Sequence, residues 1–200
     1  MHDRQYPVLI DSRNDLEARE ELVAITSGDR TALCNLYTRY FGTLAHFLSQ
    51  FVGSENCVGD IINDTFMTIW EKARGFQYES KVSVWIFSIA HSHASRFVQW
   101  HRTRESAQPE GDFEGRSHEP RTPAGIGGSI LWALGRLRIE QRVVLTLCYR
   151  MGYSAQEIAL VTGSPVETVE LRMWQGRQQL RRYLMRSAMG AVDSNNHCPP

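Results

Sequence analysis

Residues 155–174 read AQEIALVTGSPVETVELRMW, and their spacing predicts two short helices crossing at a steep angle around a tight turn. Such a crossing needs a small residue in the middle of the first helix, a glycine four residues later to turn the chain, and a β-branched plug six residues after that. Ala159, Gly163 and Val169 stand at those offsets. Ser154 and Glu157 form an S-x-x-E capping box at the start of the first helix. Pro165 stands at the start of the second, where its missing N–H costs nothing. An ordinary helical hairpin shares the cap and the turn, but not all three offsets. The stretch reads as a helix-turn-helix.

Outward from this motif the chain stays helical. Between Gly163 and Gly190 five arginines (172, 177, 181, 182 and 186) face two glutamates, a balance suited to phosphate contact. Upstream, Val143, Val144, Leu147 and Cys148 share one helix, and Ile130, Leu131, Leu134 and Leu137 a shorter one. Residues 105–128 break the pattern with three prolines, five glycines and five acids, and read as a flexible linker. Before it, Leu33, Leu36, Tyr37, Tyr40, Leu44, Phe47, Leu48 and Phe51 recur at three- and four-residue steps. Gly53-Ser54 breaks this helix. Val58, Ile61, Ile62, Phe66, Ile69 and Trp70 line a second, which Gly75 closes at the left-handed position glycine favours. Ile86, Ile89, Ala90, His93, Phe97 and Trp100 line a third, starting near Ser80 or Ser83. The expected fold is all-α: a helical domain over 15–104, a linker over 105–128, a helix-turn-helix domain over 129–186 and a tail over 187–200.

Composition narrows the function classes. No apolar run approaches the ~20 residues that span a bilayer, and residues 1–15 carry no signal-peptide core, so no membrane insertion and a cytoplasmic, bacterial setting are expected. Net charge is zero, which argues against avid non-specific nucleic-acid binding. Twenty of the 22 basic residues are arginine, the exceptions being Lys72 and Lys81. Cys34, Cys57, Cys148 and Cys198 form no CxxC pair, and their spacing with His197 matches no zinc pattern. His91 and His93, two apart on a helix, point away from each other, and His93 reads as a core histidine. No phosphate loop, nucleophilic triad or carboxylate pair stands out. No metal, cofactor or catalysis is expected.

The stretch from Leu137 through Arg142-Val143-Val144-Leu145, Gly152-Tyr153-Ser154, Glu157-Ile158-Ala159, Gly163 and Thr168-Val169 resembles region 4 of the extracytoplasmic-function (group 4, sigma-70 family) RNA polymerase sigma factors. Gly28-Asp29, Leu36-Tyr37, Arg39-Tyr40, the run Asp60 to Phe66 with Trp70, Trp85-Ile86 and Ile89-Ala90 resemble region 2 of the same family. The two resemblances stand in the family's order on either side of the linker. They imply a protein that binds core polymerase (β′ clamp and β flap), meets promoter DNA at its −10 and −35 elements, and is held by an anti-sigma factor. Core-polymerase contacts would fall to Asp60, Ile61, Asn63, Asp64, Phe66 and Trp70. The −10 set would be Ser80, Lys81, Ser83, Trp85, Ser88, His91, Ser92, Arg96, Trp100, Arg102 and Arg104, with Trp100 the best placed to stack on a base. The −35 set would be Ser154, Pro165, Glu167, Thr168, Glu170, Leu171, Arg172, Trp174, Gln175, Arg177 and Arg181.

Departures from the family pattern fall at the DNA-facing positions. Glu170 and Gln175 stand where basic residues are usual, and His91-Ser92 replaces an Arg-Asn pair. A carboxylate at Glu170 either repels phosphate and weakens binding, or accepts from a cytosine amino group and specifies a base. A sigma-like mimic that binds an anti-sigma factor and reads DNA poorly is the alternative. The linker reading gives a first prediction. Limited proteolysis of the isolated chain should cut between Glu105 and Gly128 and leave two helical fragments. First cleavage inside residues 30–100 would count against it.

Overall fold

The computed structural model describes residues 12–50, 52, 55–105 and 126–193. These form eight α-helices and, among the described residues, no strand: α1 (Ser12–Thr26), α2 (Arg30–Leu48), α3 (Glu55–Lys72), α4 (Val82–Glu105), α5 (Ile126–Gly135), α6 (Ile139–Met151), α7 (Ala155–Thr162) and α8 (Val166–Asp193). The Gly53-Ser54 break, Cys198 and most of the linker lie outside the described residues. Ile126 to Gly128, read as linker, are the first residues of α5, and the tail expected from 187 is helical to Asp193.

α1 is the element the sequence reading does not single out, although Ala18, Leu22 and Ile25 are buried at helical spacing. It packs on α2 and is pinned there by Arg39, which donates to Asn14, to Glu17 at 2.7 Å and to Glu21 at 2.9 Å. Asp15 does a different job. One carboxylate oxygen accepts from the Val82 amide at 2.8 Å, satisfying an orphan donor at the start of α4. The other pairs with Arg19 at 3.0 Å. Gly75 departs from expectation. It closes a short 3-10 turn (Ala73–Gly75) without a positive φ; Tyr78, three residues on, takes the left-handed conformation instead, at φ 58°.

The helix-turn-helix forms as its sequence predicts. Gly152 and Gly163 both end helices in the left-handed region, at φ 68° and 62°. Ser154 Oγ and the Glu157 carboxylate cap reciprocally. Val169 is fully buried at the crossing. Gly176 lets α8 approach α6 closely: a Cβ there would lie 2.9 Å from Leu145 Cδ1.

The two bundles, which the sequence reading places on either side of the linker, pack against each other. One continuous core runs through both, with α4 packed along α7. Phe87 of α4 meets Tyr153 edge-on, ring centres 6.1 Å apart. Lys81 Nζ lies 2.9 Å from Glu157. Arg142 and Thr146 of α6 donate to the Gln50 carbonyl and side-chain oxygen at 2.8 and 2.9 Å. Burial pushes the Tyr153 hydroxyl far above its ordinary range, so it stays neutral. The physical reason is on α4 itself. Phe87, Ala90 and Ala94 are all fully buried, and the small side chains let a second layer of helix approach.

Two predictions follow from this packing. Asp15→Ala should cost about 1–2 kcal/mol in urea unfolding, because it uncaps α4; an unchanged midpoint would show that the contact is dispensable. The second concerns pH. Burial, then the Arg172 guanidinium, lowers the pKa of His91, whose cavity also holds Glu140 of α6. Burial and Arg96 lower His93, with Asp64 opposing and Lys72 adding. Burial and Arg150 lower His46. A histidine with a depressed folded pKa binds its proton at higher pH when unfolded, so stability falls as pH drops below about 6.5. Burial raises Glu157, but Lys81 and the Ser154 cap outweigh it and hold the carboxyl low, so its contribution is constant in this window and is lost only at more acidic pH. The urea midpoint should therefore decrease from about pH 7.5 to about pH 5.5, and His91→Gln should flatten the decrease. A midpoint independent of pH in both proteins would contradict this.

Candidate nucleic-acid interface

Three surfaces carry the residues singled out from the sequence. The first is the outer face of α2 and α3. Asp60, Asn63 and Asp64 are exposed on α3, one helical turn apart. Ile61 and Phe66 are in the core, and Trp70 is half-buried against it, so these three hold α3 in place more than they offer surface. Two residues that the sequence reading passes over complete the face: Met67, 58% exposed, and Phe41, 41% exposed. Tyr37 joins them, its ring 5.4 Å from Phe41 and 4.8 Å from Phe66, its hydroxyl 3.4 Å from the Asn63 side-chain oxygen. The result is an apolar patch beside acids, unlike a solvated charged face. Met67 follows Asp60, Asn63 and Asp64 at helical spacing, a signal that was present in the sequence; Phe41, on the neighbouring helix, is brought there by packing alone.

The second surface is the loop before α4 and the outer face of that helix. Phe76 lies between Tyr78, edge-on at 4.8 Å, and Trp85, tilted at 4.9 Å. Arg19 lies over the Tyr78 ring at 5.7 Å and reaches the Ser80 carbonyl at 3.4 Å. The loop is thus braced by α1 and carries one backbone residue in a sparsely populated conformation, a feature that clusters at functional sites. Of the residues named for this surface, Ser92, Arg96 and Trp100 are exposed at four-residue spacing, with Trp100 52% exposed. Ser88 bonds back to the Trp85 carbonyl. Arg102 and Arg104 lie in the last turn of α4. Ser83 is fully buried, Lys81 is paired with Glu157, and His91 faces Arg172 across the cavity between α4 and α8. These three therefore lie against the second bundle. His93 is half-buried at the surface of α3 and α4, not in the core as its stripe suggests. Its Nε2 lies 2.9 Å from Thr68 Oγ1 and its Nδ1 2.9 Å from Arg96.

The third surface is α8. Glu167, Glu170, Leu171, Trp174, Arg177 and Arg181 are exposed, and so is Pro165 just before the helix. Ser154 is committed to its cap. Thr168 is half-buried. Gln175 turns inward, accepting from Gln141 at 3.4 Å. Arg172 is also removed from the outer face, donating to Ser164 at 3.0 Å, so it does not join Arg177 and Arg181. Arg177 lies over the Tyr149 ring at 5.5 Å. Among the described residues there is no group of three or more His, Cys, Asp or Glu side chains placed to hold a metal, and no helix long and apolar enough to cross a membrane.

Comparison with known proteins assigns both bundles. Residues 36–104 match the family described as sigma-70 region 2, and residues 128–180 match sigma-70 region 4. Among curated relatives, RNA polymerase sigma factor NccH of Alcaligenes xylosoxydans xylosoxydans is 26% identical over 80% of this chain and 90% of its own length. RNA polymerase sigma factor CnrH of Cupriavidus metallidurans is 28% identical over 79% and 89%. Among solved structures, CnrH in complex with the cytosolic domain of CnrY superposes with a TM-score of 0.62 at 23% identity, covering 85% of this chain and 98% of that one. The sigma factor RpoE in complex with the anti-sigma factor NepR from Bartonella quintana superposes with a TM-score of 0.56 at 21% identity, over 74% and 94%. Both family regions, in order and together spanning more than half of the sequence, place the chain in the sigma-70 family, as a factor of the extracytoplasmic-function class that acts in promoter-directed initiation of transcription.

Proposed function

We propose that the α2–α3 face docks on the β′ clamp of core RNA polymerase, that the loop 76–81 and the outer stripe of α4 engage the −10 element, and that α8 enters the −35 major groove. The observation that carries this reading is the separation of chemistry among the three faces. The α2–α3 face is acidic and apolar, which suits a protein partner and repels DNA. The α4 stripe combines Ser92, Arg96 and Trp100, a set that can hold and stack a single strand. The far half of α8 is arginine-rich.

A groove between α6 and α8, lined by Tyr149, Leu180, Leu184 and Met185 with Arg177 and Arg181, supports docking of the polymerase β flap. The packing of α4 on α7 covers Ser83 and engages Lys81 and His91. This arrangement supports a closed form that must open for both elements to be contacted at once, and an anti-sigma factor as the partner that holds it closed. The protein acts by positioning polymerase and DNA, with no reaction of its own, in the bacterial cytoplasm. The domain limits of the reading, 15–104 and 129–186, gain α1 from Ser12 and α5 from Ile126.

The clamp assignment is tested with two double variants, Asp60→Lys with Asp64→Lys and Phe41→Ser with Met67→Ser. Each should weaken binding to core polymerase by more than about tenfold, abolish transcription from a cognate promoter in vitro, and leave helical content unchanged. Undiminished co-purification of both with polymerase would refute the assignment.

A further inference from the structure

The two halves of the outer face of α8 differ in chemistry. Glu170 and Leu171 lie three and four residues after Glu167, and Trp174 four and three after them, so these four, with Gln178 a turn further on, form one exposed stripe. Leu171 is 53% and Trp174 60% exposed, side by side. From Val166 to Trp174 the only arginine, Arg172, is turned away to Ser164 Oγ. The next arginines on or beside the outer face, Arg177 and Arg181, come one to two turns later. Glu167 lies in the first turn of the helix, where a carboxylate complements the helix dipole without any ligand. Glu170 lies a turn further in, where that benefit has faded, and nothing in the packing requires a carboxylate there.

In a helix-turn-helix the N-terminal residues of the second helix face base edges, while backbone phosphates are met further out. Here the half that faces bases offers two apolar side chains and an acceptor, and the half that follows offers cations. An arginine fork to guanine, the commonest specific contact, is absent from the first half. The major-groove edges that fit what remains are the thymine methyl, for Leu171 and Trp174, and the cytosine amino donor, for Glu170. Arg177 and Arg181, at the groove between α6 and α8, and Arg182 beside them supply phosphate attraction further along the same helix.

We propose that the first half of α8 selects pyrimidines on one strand of the −35 element. Leu171 and Trp174 pack on thymine methyl groups, and Glu170 accepts a hydrogen bond from a cytosine amino group. This rests on the reading that α8 enters the −35 major groove, and names the bases that it recognises there.

The experiment uses holoenzyme, core polymerase with the full chain, and a library randomised at −35 over a constant −10. The wild type should enrich adjacent T·A and C·G pairs with the pyrimidines on one strand. Replacing the enriched thymines by deoxyuridine removes only the methyl group and should lower binding roughly fourfold per site. Leu171→Ala or Trp174→Ala should abolish that deoxyuridine effect. Glu170→Gln should move the preference at one pair from cytosine to adenine, which glutamine can grip with two hydrogen bonds. Arg181→Ala should weaken all sequences alike. Three results would overturn the proposal: enrichment of guanine that disappears with Arg172→Ala, indifference to deoxyuridine, or loss of polymerase binding in Leu171→Ala and Trp174→Ala with base preference intact, which would make the face a protein-docking surface. If holoenzyme initiates from the −10 element but enriches nothing at −35, the DNA-reading role of α8 fails as well.

Discussion

The burial of α4 against both bundles along one broad face is the constraint that the rest of the molecule is arranged around. Ile86, Ala90, Ala94 and Phe87 share that face, and Phe87 meets both Phe47 of α2, at 5.1 Å, and Tyr153, so one helix closes the α1–α3 bundle and gives α7 a surface to lie on. A helix buried over so broad an arc keeps one solvent-facing side. On α4 that side carries Ser92, Arg96 and Trp100. The residues available for nucleic acid are therefore selected by packing as much as by chemistry.

The start of the same helix shows how a functional loop is held without secondary structure of its own. Asp15 caps the Val82 amide from a distant helix, Arg19 lies over Tyr78, and Phe76 fills the space between Tyr78 and Trp85. The backbone strain at Tyr78 is maintained because aromatic packing and the α1 contacts over-determine the loop. α1 thus acts on the site through geometry, although none of its residues belongs to a family motif quoted above.

The ion pair between Lys81 and Glu157 links the two bundles through residues with other local duties. Glu157 also completes the cap of α7, and its depressed pKa reflects both partners outweighing burial. Such a pair, with the lysine partly exposed, contributes little on its own. Burial of apolar surface, as at Phe87 and Tyr153, is the larger physical contribution to such an association.

The helix-turn-helix was legible from sequence alone because each of its requirements is local. A cap needs a carboxylate three residues on, a left-handed turn needs glycine, and a crossing needs a small residue facing a β-branched one. Ser154, Glu157, Ala159, Gly163 and Val169 satisfy these within sixteen positions. Helical periodicity likewise exposed α2, α3 and most of α4. Tertiary structure alone decided what depends on two distant segments meeting. The joining of the bundles, the inward turn of Arg172 and Gln175, and the placing of Phe41 beside Met67 are of this kind. A periodic stripe states that a residue faces something apolar; only the packed neighbour determines whether that is the chain's own core or a surface left open for a partner.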